Sequence, residues 1–494
     1  MGSTLLKKAI GLSSASDFLD KNGLFYNYNA NRLPSFDYDK AGKHIARENK
    51  SWSGYGENQM GQSAEVTYSF PTWSHMPTNI FGDKNPYQFN LQQKEQAKFS
   101  LNSWADVANI TFKEVAPRDN ADIQFGNIKD KYGSFQAYAT LPHTKLYGDS
   151  GPDVSGQAWF SDYKYAGNTT PELGNYGRLT LVHEIGHTLG LMHPGDYNAG
   201  QNVPGYLKSD YAEDSRQYTV MSYWEEYETG AFFDGVYAGA PLLHDISAIQ
   251  YLYGANTSVR TGNDIYGFNS NTNIDYFTAT SSHDKLIFSV WDNGGYDTFD
   301  FSGFYQNQTI DLREMHYSNV GGLVKNVSIA KGVVIEEAIG GSGNDIIIGN
   351  DADNWLSGGA GNDIIYGGAG NDHIYGGAGQ DTLWGAGRDI AQEESGNNTF
   401  VYKDISDSTF EFADIIMDFK TGKDKIDLTD LIKNTFYDNS INYVDQLSGK
   451  GGELAINYND MNDMSEVLIN AYGHYNPEFK IDIVGVITPN DFIV

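Results

Sequence analysis

The chain has 494 residues, enough for two to four domains with sizeable hydrophobic cores. Acidic residues outnumber basic residues by 64 to 33. The resulting net charge of −31 argues against nucleic acid or an anionic membrane as the partner, whereas carboxylates suit hard cations such as calcium. Cysteine is absent, which excludes disulfides, thiolate zinc sites, iron–sulfur clusters and cysteine proteases. The sequence predicts neither a membrane span nor an N-terminal secretory signal peptide.

Regular secondary structure is predicted from about residue 64, after a small, polar leader at residues 1–20. Residues 64–70 alternate between apolar and polar side chains, as expected for a half-buried strand, and residues 121–125 do the same. Between them, apolar side chains at spacings of three and four over residues 91–108 predict an amphipathic helix. We therefore expect a mixed α+β domain over residues 21–255.

The most informative stretch runs from His183 to His193 and reads HEIGHTLGLMH. The residues before it permit a helix, on which His183 and His187 lie one turn apart on one face, with about 5–6 Å between their Cβ atoms. Gly190 tolerates a positive φ, so the chain can turn back and bring His193 to the same ion. Three neutral imidazoles can hold zinc with one position left for water, whose pKa zinc lowers toward ~7. Glu184 is then placed to act as general base toward this zinc-activated water.

A methionine follows this motif where a Met-turn would lie. Met221 belongs to the stretch Tyr218–Trp224, and its thioether is expected to form an apolar floor beneath the zinc ligands. The combined pattern resembles that of the metzincin zinc proteases. The alternative is that three histidines share a solvated face by coincidence, and it is disfavoured because the glutamate and the glycine are also in place.

Residues 340–389 repeat with a period of nine, as GGSGNDIII, GNDADNWLS, GGAGNDIIY, GGAGNDHIY and GGAGQDTLW. The pattern GGxGxDxUx, in which U is large and apolar, is typical of a calcium-binding parallel β-roll. Because calcium takes six to eight oxygen ligands, successive turns must share each ion. The second unit has Asn354 in place of aspartate, which predicts an imperfect site. A Gly-rich linker is the alternative, and the strict period with apolar residues in phase disfavours it.

The predicted calcium-binding residues of the repeats are their turn glycines and aspartates: Gly341, Gly343, Asp345, Gly359, Gly361, Asp363, Gly368, Gly370, Asp372, Gly377, Gly379 and Asp381. Without calcium these carboxylates repel one another, and the roll should be disordered. Calcium neutralises them, so its binding free energy becomes folding free energy. Further strands are predicted at residues 424–428 and 480–484.

With these motifs identified, the chain resembles the serralysins, which are secreted bacterial zinc metalloproteases with a C-terminal RTX β-roll. The resemblance includes the stretches Ser103–Phe112, Ala240–Ile246, Tyr253–Asn256 and Ile287–Asp292. It implies a multidomain fold, in which an α+β metzincin catalytic domain precedes an all-β region. The implied boundaries are a leader or propeptide at 1–20, the catalytic domain at 21–255, the β-roll at 256–390 and a C-terminal β region at 391–494.

The resemblance also implies roles for residues outside the two motifs. The Met-turn tyrosine of serralysins is a further zinc ligand at rest and then donates a hydrogen bond to the tetrahedral intermediate, and Tyr223 matches it. A further calcium site of the family corresponds to Arg260, Gly262, Asp264, Asp292, Gly294 and Asp297. The family's last calcium site follows the roll, where Asp407 and Asp414 are the matching residues. One glycine is missing at 385–387, and an insertion lies near residues 391–398.

The implied partners are protein or peptide substrates and a type I exporter, which would recognise the C-terminal signal Asp491–Val494. We expect an extracellular monomer with one catalytic zinc ion and several structural calcium ions. Inhibition in the cell of origin could come from the leader, a dedicated protein inhibitor or the lack of calcium. A calcium-binding surface protein or adhesin is the alternative from another class, and the intact ligands, base and Met-turn favour the protease. An RTX lipase is disfavoured because the GxSxG motif does not occur.

Overall fold

The structure, a computed structural model, describes residues 33–494 except 73, 75, 78–84, 119, 131, 134, 146–150, 199–204, 388–395 and 475. The predicted leader at 1–20 and most of the predicted insertion therefore lie outside the described residues. Among the helices of the described part, none is long and apolar enough to cross a lipid bilayer.

The amino-terminal half combines helices with one main sheet. In chain order its elements are α1 (Tyr38–Ile45), β1 (Lys50–Ser51), β2 (Gly54–Tyr55), β3 (Ala64–Ser69), β4 (Pro86–Tyr87), α2 (Leu91–Val107), β5 (Ile110–Glu114), β6 (Ile123–Ile128), β7 (Ala137–Ala139), β8 (Gln157–Ser161), α3 (Tyr176–Thr188) and α4 (Leu243–Tyr253). Short 3₁₀ turns lie at Glu57–Gln59, Tyr206–Lys208 and Glu226–Thr229. The strands predicted at 64–70 and 121–125 and the helix predicted at 91–108 are thus confirmed.

The main sheet has the strand order β5-β3-β6-β8-β7, and β4 pairs with β6. β3, β5, β6 and β8 run parallel, whereas β7 at the edge is antiparallel to β8. Ser161 N–H donates to the carbonyl of Gln136, and Thr140 N–H donates to that of Gln157, each at 3.0 Å. Backbone groups alternate in direction along an antiparallel strand, so those of Ala137 and Ala139 face away from β8. β7 therefore offers an open strand edge.

Helix α3 begins and ends at residues suited to those positions. The side chain of Asn175 accepts a hydrogen bond from Arg178 N–H and caps the first turn. Trp104 Nε1 donates to the carbonyl of Val182 at 3.1 Å, which joins α2 to α3. After the helix, Gly190 has φ of +109°, and a Cβ there would lie 1.9 Å from the carbonyl oxygen of Lys50. The turn that brings His193 back therefore requires glycine, as predicted.

The carboxy-terminal half consists mainly of short strands. In chain order its elements are β9 (Ile265–Gly267), β10 (Phe288–Val290), β11 (Thr298–Asp300), β12 (Thr309–Asp311), β13 (Tyr317–Ser318), β14 (Val327–Ile329), β15 (Glu337–Ile339), β16 (Ile346–Ile348), β17 (Trp355–Ala360), β18 (Ile364–Gly368), β19 (His373–Ala378), β20 (Thr382–Ala386), β21 (Thr399–Val401), β22 (Asp414–Ile416), β23 (Lys425–Asp427), α5 (Thr429–Thr435), β24 (Asn442–Val444), β25 (Glu453–Asn459), β26 (Met464–Asn470), β27 (Phe479–Val484) and β28 (Phe492–Ile493). β10, β14 and β13 form a small separate sheet.

The nonapeptide repeats form the predicted parallel β-roll. Each repeat contributes one short strand, and successive strands alternate between two sheets, so that β17 pairs with β19 and β18 pairs with β20. Paired residues are 18 positions apart, as for Trp355 and His373 or Ile364 and Thr382. The large apolar residue of each repeat is fully buried between the sheets: Ile347, Leu356, Ile365, Ile374 and Leu383.

The roll continues beyond the last regular repeat. Asp372 N–H donates to Asn398 Oδ1 across 26 residues, and Asp381 N–H donates to Asp414 Oδ1 across 33 residues, instead of the usual 18. The extra residues are insertions between turns of one roll. The sheets of eight and nine strands both run across residue 390, and β28 pairs with β23. The boundary predicted there stays a prediction, since both sides share the same sheets.

The two halves of the chain are joined by a buried ion pair. The guanidinium of Arg260 donates to Asp106 at the end of α2 and also to the carbonyl of Trp291. The side chains of Arg260 and Asp106 are only 6% and 11% exposed. Separating the two side chains would leave a buried charge without a partner, which costs free energy. The ion pair therefore fixes the position of α2 relative to the loop before β9.

Neighbouring turns of the roll approach each other closely, so replacing a glycine between two turns should destabilise the protein more than replacing a glycine with free space around it. Gly377 has φ of +98°, and a Cβ there would lie 2.0 Å from the carbonyl oxygen of Gly359. We expect Gly377→Ala to destabilise the roll by more than about 3 kcal/mol, because the two turns must separate. Gly422 has φ of +79° but no atom within 4 Å of its Cβ position, so Gly422→Ala should cost only about 1 kcal/mol. Urea unfolding in excess calcium measures both, and equal losses would contradict the packing explanation.

Candidate active site

Three imidazoles converge where helix α3 ends. His183 and His187 lie one turn apart on α3, and His193 follows the turn at Gly190. The Nε2 atom of His193 lies 3.2 Å from Nε2 of His183 and 3.1 Å from Nε2 of His187. His183 and His193 are buried, and His187 is half-buried. The structure thus brings together the three predicted zinc ligands.

Backbone carbonyls determine which ring nitrogen of each histidine carries the proton. Nδ1 of His183 lies 2.8 Å from the carbonyl oxygen of Val220, and Nδ1 of His187 lies 2.7 Å from that of Leu191. Nδ1 of His193 lies 2.7 Å from the carbonyl oxygen of Tyr197. A carbonyl only accepts, so each Nδ1 carries the hydrogen and each Nε2 presents a lone pair. Three lone pairs therefore face one point.

This arrangement fits a tetrahedral zinc ion. Zinc binds imidazole nitrogen at about 2.0–2.1 Å, which places nitrogens about 3.3 Å apart at the tetrahedral angle. The observed separations of 3.1 and 3.2 Å are close to that value. Burial lowers the pKa of His183 to about 3 and that of His187 to about 4, so both rings are neutral ligands at physiological pH. The carbonyl partners also fix the ring orientations, as outer-shell partners of metal ligands do.

The Met-turn lies directly beneath the imidazoles. Met221 is fully buried, and a Cβ at Gly186 would lie 2.7 Å from its sulfur atom. Gly186 therefore leaves the space in α3 that the thioether occupies. The turn is held by the buried carboxylate of Asp245, which accepts hydrogen bonds from the hydroxyl of Thr219 at 2.5 Å and from Val220 N–H at 2.8 Å. Asp245 thus positions the carbonyl that orients His183.

Glu184 and Tyr223 face a cavity of about 300 Å³ beside the imidazoles. The carboxylate of Glu184 is buried, and its Oε2 has no hydrogen-bond partner among the described residues. Burial raises the pKa of Glu184 to about 8, which makes its carboxylate a stronger base, although a cation nearby would oppose this shift. The ring of Tyr223 is centred 4.5 Å from the ring of His193. The cavity also reaches Ala137 on the open edge of β7.

Comparison with known proteins decides the family. The family model described as Matrixin matches residues 73–201, and the model described as Peptidase M10 serralysin C terminal matches residues 255–494. Serralysin from Proteus mirabilis is 68% identical, with 100% of both chains covered. This chain belongs to the serralysin family.

Other serralysin-type relatives agree with this assignment. Serralysin C from Dickeya chrysanthemi is 48% identical and covers 94% of this chain and 91% of its own. Metalloprotease AprA from Pseudomonas entomophila is 46% identical and covers 94% and 92%. The solution structure of the AlgE6R3 subunit from the Azotobacter vinelandii mannuronan C5-epimerase matches 31% of this chain and 78% of its own at 24% identity, with a TM-score of 0.24, too low to bear on the fold. The chain is a zinc metalloendopeptidase with a metzincin catalytic domain and a β-roll, as predicted.

In this serralysin, the loop residues predicted to form a calcium site outside the repeats also come together. Carboxylate oxygens of Asp264, Asp292 and Asp297 all lie within 4.8 Å of one another. The two loops are joined where Asn293 N–H donates to the carbonyl of Arg260 at 2.9 Å. Oδ2 of Asp297 is buried without a hydrogen-bond partner among the described residues. Gly262 and Gly294 belong to the same two loops. A buried carboxylate oxygen without a partner fits a cation ligand.

The aspartates of the repeats form a ladder along one edge of the roll. Asp345 N–H donates to Oδ1 of Asp363 at 2.7 Å, and Asp363 N–H donates to Oδ1 of Asp381 at 2.8 Å. The Oδ2 atoms of Asp363 and Asp381 are buried and have no hydrogen-bond partner within the described ranges. Burial raises the pKa of Asp363 to about 8 and that of Asp381 to about 7. A buried, ionised carboxylate without a partner costs free energy. The Oδ2 atoms of Asp363 and Asp381 therefore fit calcium, which binds carboxylate oxygen.

The structure also places Asp407 and Asp414 next to this ladder. Asp414 is fully buried, and its Oδ1 accepts the hydrogen bond from Asp381 N–H at 2.8 Å. Burial and the charge of Asp381 raise the pKa of Asp414 well above its usual value. Asp407 raises the pKa of Asp381 further, and its own Oδ2 accepts hydrogen bonds from Lys403 N–H and Asp404 N–H. The two residues predicted to form the family's last calcium site thus lie on the same edge of the roll as the ladder aspartates.

Several residues of the site were missed by sequence reasoning. Asp245, Gly186 and Arg216 support or line the site. Gly186 and Asp245 lie in stretches noted above, but the sequence assigns a role to none of the three. On the opposite edge of the roll, Asn354 N–H donates to Asp372, Asp372 N–H donates to Asn398, and Asn398 N–H donates to Asp424. The last two steps of this ladder each span 26 residues instead of 18, so counting by nine could not have found Asn398 or Asp424.

The support of the Met-turn by Asp245 leads to a stability prediction. In Asp245→Asn the amide oxygen can still accept from Val220 N–H and Leu242 N–H, which share one carboxylate oxygen. The amide NH2 replaces the other oxygen, so the buried Thr219 hydroxyl loses its acceptor. We expect unfolding free energy to fall by about 2–4 kcal/mol and zinc affinity to fall about 10- to 100-fold. Thermal unfolding and zinc competition with a chelator measure these losses.

The matched control is Asp284→Asn. Asp284 also accepts two backbone hydrogen bonds, from Thr280 N–H at 2.7 Å and Ser281 N–H at 2.9 Å, but on the surface. Its replacement should change stability by less than about 1 kcal/mol and leave zinc affinity unaltered. Equal effects of the two substitutions would contradict a specific role of Asp245.

Proposed function

We propose that His183, His187 and His193 hold the catalytic zinc ion and that Glu184 is the general base. The observation that supports this most directly is the convergence of three Nε2 lone pairs beside a buried carboxylate in one cavity. Zinc bound there supplies Lewis acidity, which polarises a carbonyl and lowers the pKa of a water toward ~7. The family adds Tyr223 as a further ligand in the resting enzyme, and the ring distance of 4.5 Å to His193 is compatible with that role.

The residues of this chain then divide the proton transfers and the charge stabilisation between them. Glu184 accepts a proton from the water that attacks the scissile carbonyl and passes it to the leaving amine. Its unpartnered Oε2 leaves it free to take that proton. Tyr223 donates a hydrogen bond to the oxyanion that develops on the carbonyl, where such a donor contributes most.

We expect the substrate to bind as an extended strand along β7. The backbone groups of Ala137 and Ala139 face away from β8, so a peptide can add to the sheet through main-chain hydrogen bonds. Ala137 also lines the cavity that contains Glu184, which would place the added peptide beside the base. Main-chain binding depends little on side-chain identity and therefore suits protein substrates of varied sequence.

We further propose that calcium stabilises the roll. The ligands would be the aspartates of the ladder together with turn carbonyls, and the loop aspartates Asp264, Asp292 and Asp297 would hold a separate ion. Binding would then be linked to folding, since few of these oxygens converge in an unfolded chain. This coupling supports a role outside the cell, where calcium is abundant.

Export through a type I system is proposed on the basis of the C-terminal signal. In the folded protein Phe492 and Ile493 form β28, and the carboxylate of Asp491 is buried and accepts hydrogen bonds from Gly422 N–H and Thr488 N–H. An exporter could therefore recognise these residues only before the roll folds. Low calcium inside the cell would keep the chain in that state.

The role of Glu184 predicts loss of catalysis without loss of metal. We expect Glu184→Ala to reduce casein hydrolysis by at least about 10³-fold in excess calcium, because no other described residue in the cavity can accept the proton. Zinc content should stay at one ion per chain, as in the wild type. If the variant carried full zinc and still cleaved casein near the wild-type rate, Glu184 would be excluded as the base. Tyr223→Phe should give a smaller loss of about 10²-fold, because it removes only the hydrogen bond to the oxyanion.

The raised pKa values of Asp363 and Asp381 predict opposite pH trends with and without calcium. In the folded state burial raises the pKa of these two carboxyls to about 8 and about 7, whereas the pKa of an unfolded aspartate is about 3.9. In chelator, the folded roll therefore binds more protons than the unfolded chain, so the roll should be disordered near pH 8 and its folded fraction should rise as pH falls toward about 4. Calcium requires the ionised carboxylates, so the calcium-induced rise in melting temperature should be largest near pH 8 and small near pH 5. Circular dichroism melts in calcium and in chelator test this, and a calcium effect independent of pH would contradict it.

A further inference from the structure

The cavity beside the zinc-binding imidazoles contains a buried arginine that the catalytic steps do not use. Arg216 lines the cavity together with Glu184 and Tyr223, and its side chain is 10% exposed. Among the described residues that line this cavity, Arg216 is the only permanent cation. The other walls include the apolar side chains of Leu179 and Val220.

The guanidinium of Arg216 is held in place but not fully used. Nη1 donates to Oε1 of Glu225 at 2.6 Å, and Nη2 donates to the hydroxyl of Tyr176 at 3.3 Å. The guanidinium carbon lies 5.2 Å from the centre of the Tyr176 ring and 5.7 Å from that of Tyr237. Nε is buried and has no acceptor among the described residues. A buried donor without an acceptor costs free energy that a ligand oxygen can recover.

We propose that Arg216 selects substrates in which a residue next to the scissile bond has an oxygen-terminated side chain, of the glutamine or glutamate type. The inference rests on the proposed function, since it places the scissile bond beside Glu184. A peptide added to β7 directs alternate side chains to opposite faces, so one of them can enter the cavity next to Ala137. Its methylene groups would contact Leu179 and Val220, and its terminal oxygen would accept from the unused donors of Arg216.

The charge of Glu225 determines whether the pocket prefers a glutamine or a glutamate side chain in the substrate. Its side chain is 37% exposed, and its charge compensates that of Arg216. With the ion pair intact, the pocket presents a hydrogen-bond donor with little net charge, so glutamine should be accepted at least as well as glutamate. Removal of the charge of Glu225 should leave the arginine positive and favour glutamate.

The test uses the full-length enzyme loaded with zinc and calcium. Two peptide sets share one cleavage site, and each varies one residue flanking the scissile bond among Gln, Glu and Leu. Initial rates by mass spectrometry give ratios of kcat/KM within each variant, and thermal unfolding confirms that each variant is folded. In the wild type we expect Gln to exceed Leu at one of the two flanking positions.

Arg216→Met keeps most of the side-chain volume and removes every donor. We expect it to reduce the Gln-to-Leu ratio by about tenfold or more. Glu225→Gln, at a more exposed position, should raise the Glu-to-Gln ratio by about tenfold and tests the proposal even if Arg216→Met does not fold. Arg313→Met is the control, because Arg313 forms an ion pair with Asp311 in the β-roll half at 2.6 Å and should leave both ratios unchanged.

The outcomes separate this inference from the function on which it rests. If the wild-type enzyme cleaves none of the peptides although it binds zinc, the proposed function fails. If the wild type cleaves them but the ratios are the same in folded Arg216→Met and Glu225→Gln, Arg216 only stabilises the wall of the cavity and the inference is overturned. A purely structural role would lower all rates together and would not move the ratios.

Discussion

The rest of the catalytic half depends on holding three imidazole lone pairs at one point. Nitrogens 3.1–3.2 Å apart with their lone pairs facing one another repel unless a cation lies between them. The fold opposes this repulsion with three carbonyls, those of Val220, Leu191 and Tyr197, each fixing one ring. They come from the segments that follow α3 and from the Met-turn, so the turn at Gly190, the space at Gly186 and the buried Asp245 all serve this one arrangement.

The β-roll repeats the same physical principle with carboxylates. Backbone N–H groups hold one oxygen of Asp363 and of Asp381, and the other oxygen of each is buried without a hydrogen-bond partner among the described residues. In both halves hydrogen bonds thus keep like groups close together, and a bound cation would relieve the repulsion between them. The ion pair of Arg260 with Asp106 joins the loop that would hold the proposed calcium ion to α2. Since α2 packs against the helix that carries His183, this loop and the active site belong to one connected structure.

The sequence predicted those parts that are encoded locally. His183, Glu184, His187 and Gly190 lie within eight consecutive positions, and the roll repeats every nine residues, so helical spacing and simple counting were sufficient. Asp245 and Arg216 could not be found in this way, because their roles arise from contacts with Val220 and with the cavity that only the tertiary fold creates. Counting also failed where insertions stretch the offset from 18 to 26 and 33 residues.

The short strand β28 has a consequence for the durability of the molecule. It covers the outer edge of β23, which would otherwise end the eight-stranded sheet. β28 is then the edge of that sheet, and because it has only two residues it offers little backbone for pairing with other molecules. If nicking by this or another protease removed it, the three-residue strand β23 would become the edge, and Phe492 would be lost from the hydrophobic core. A chain trimmed by a few residues should therefore aggregate more readily. Intact carboxyl termini are therefore a sensible measure of quality for stored preparations of this enzyme.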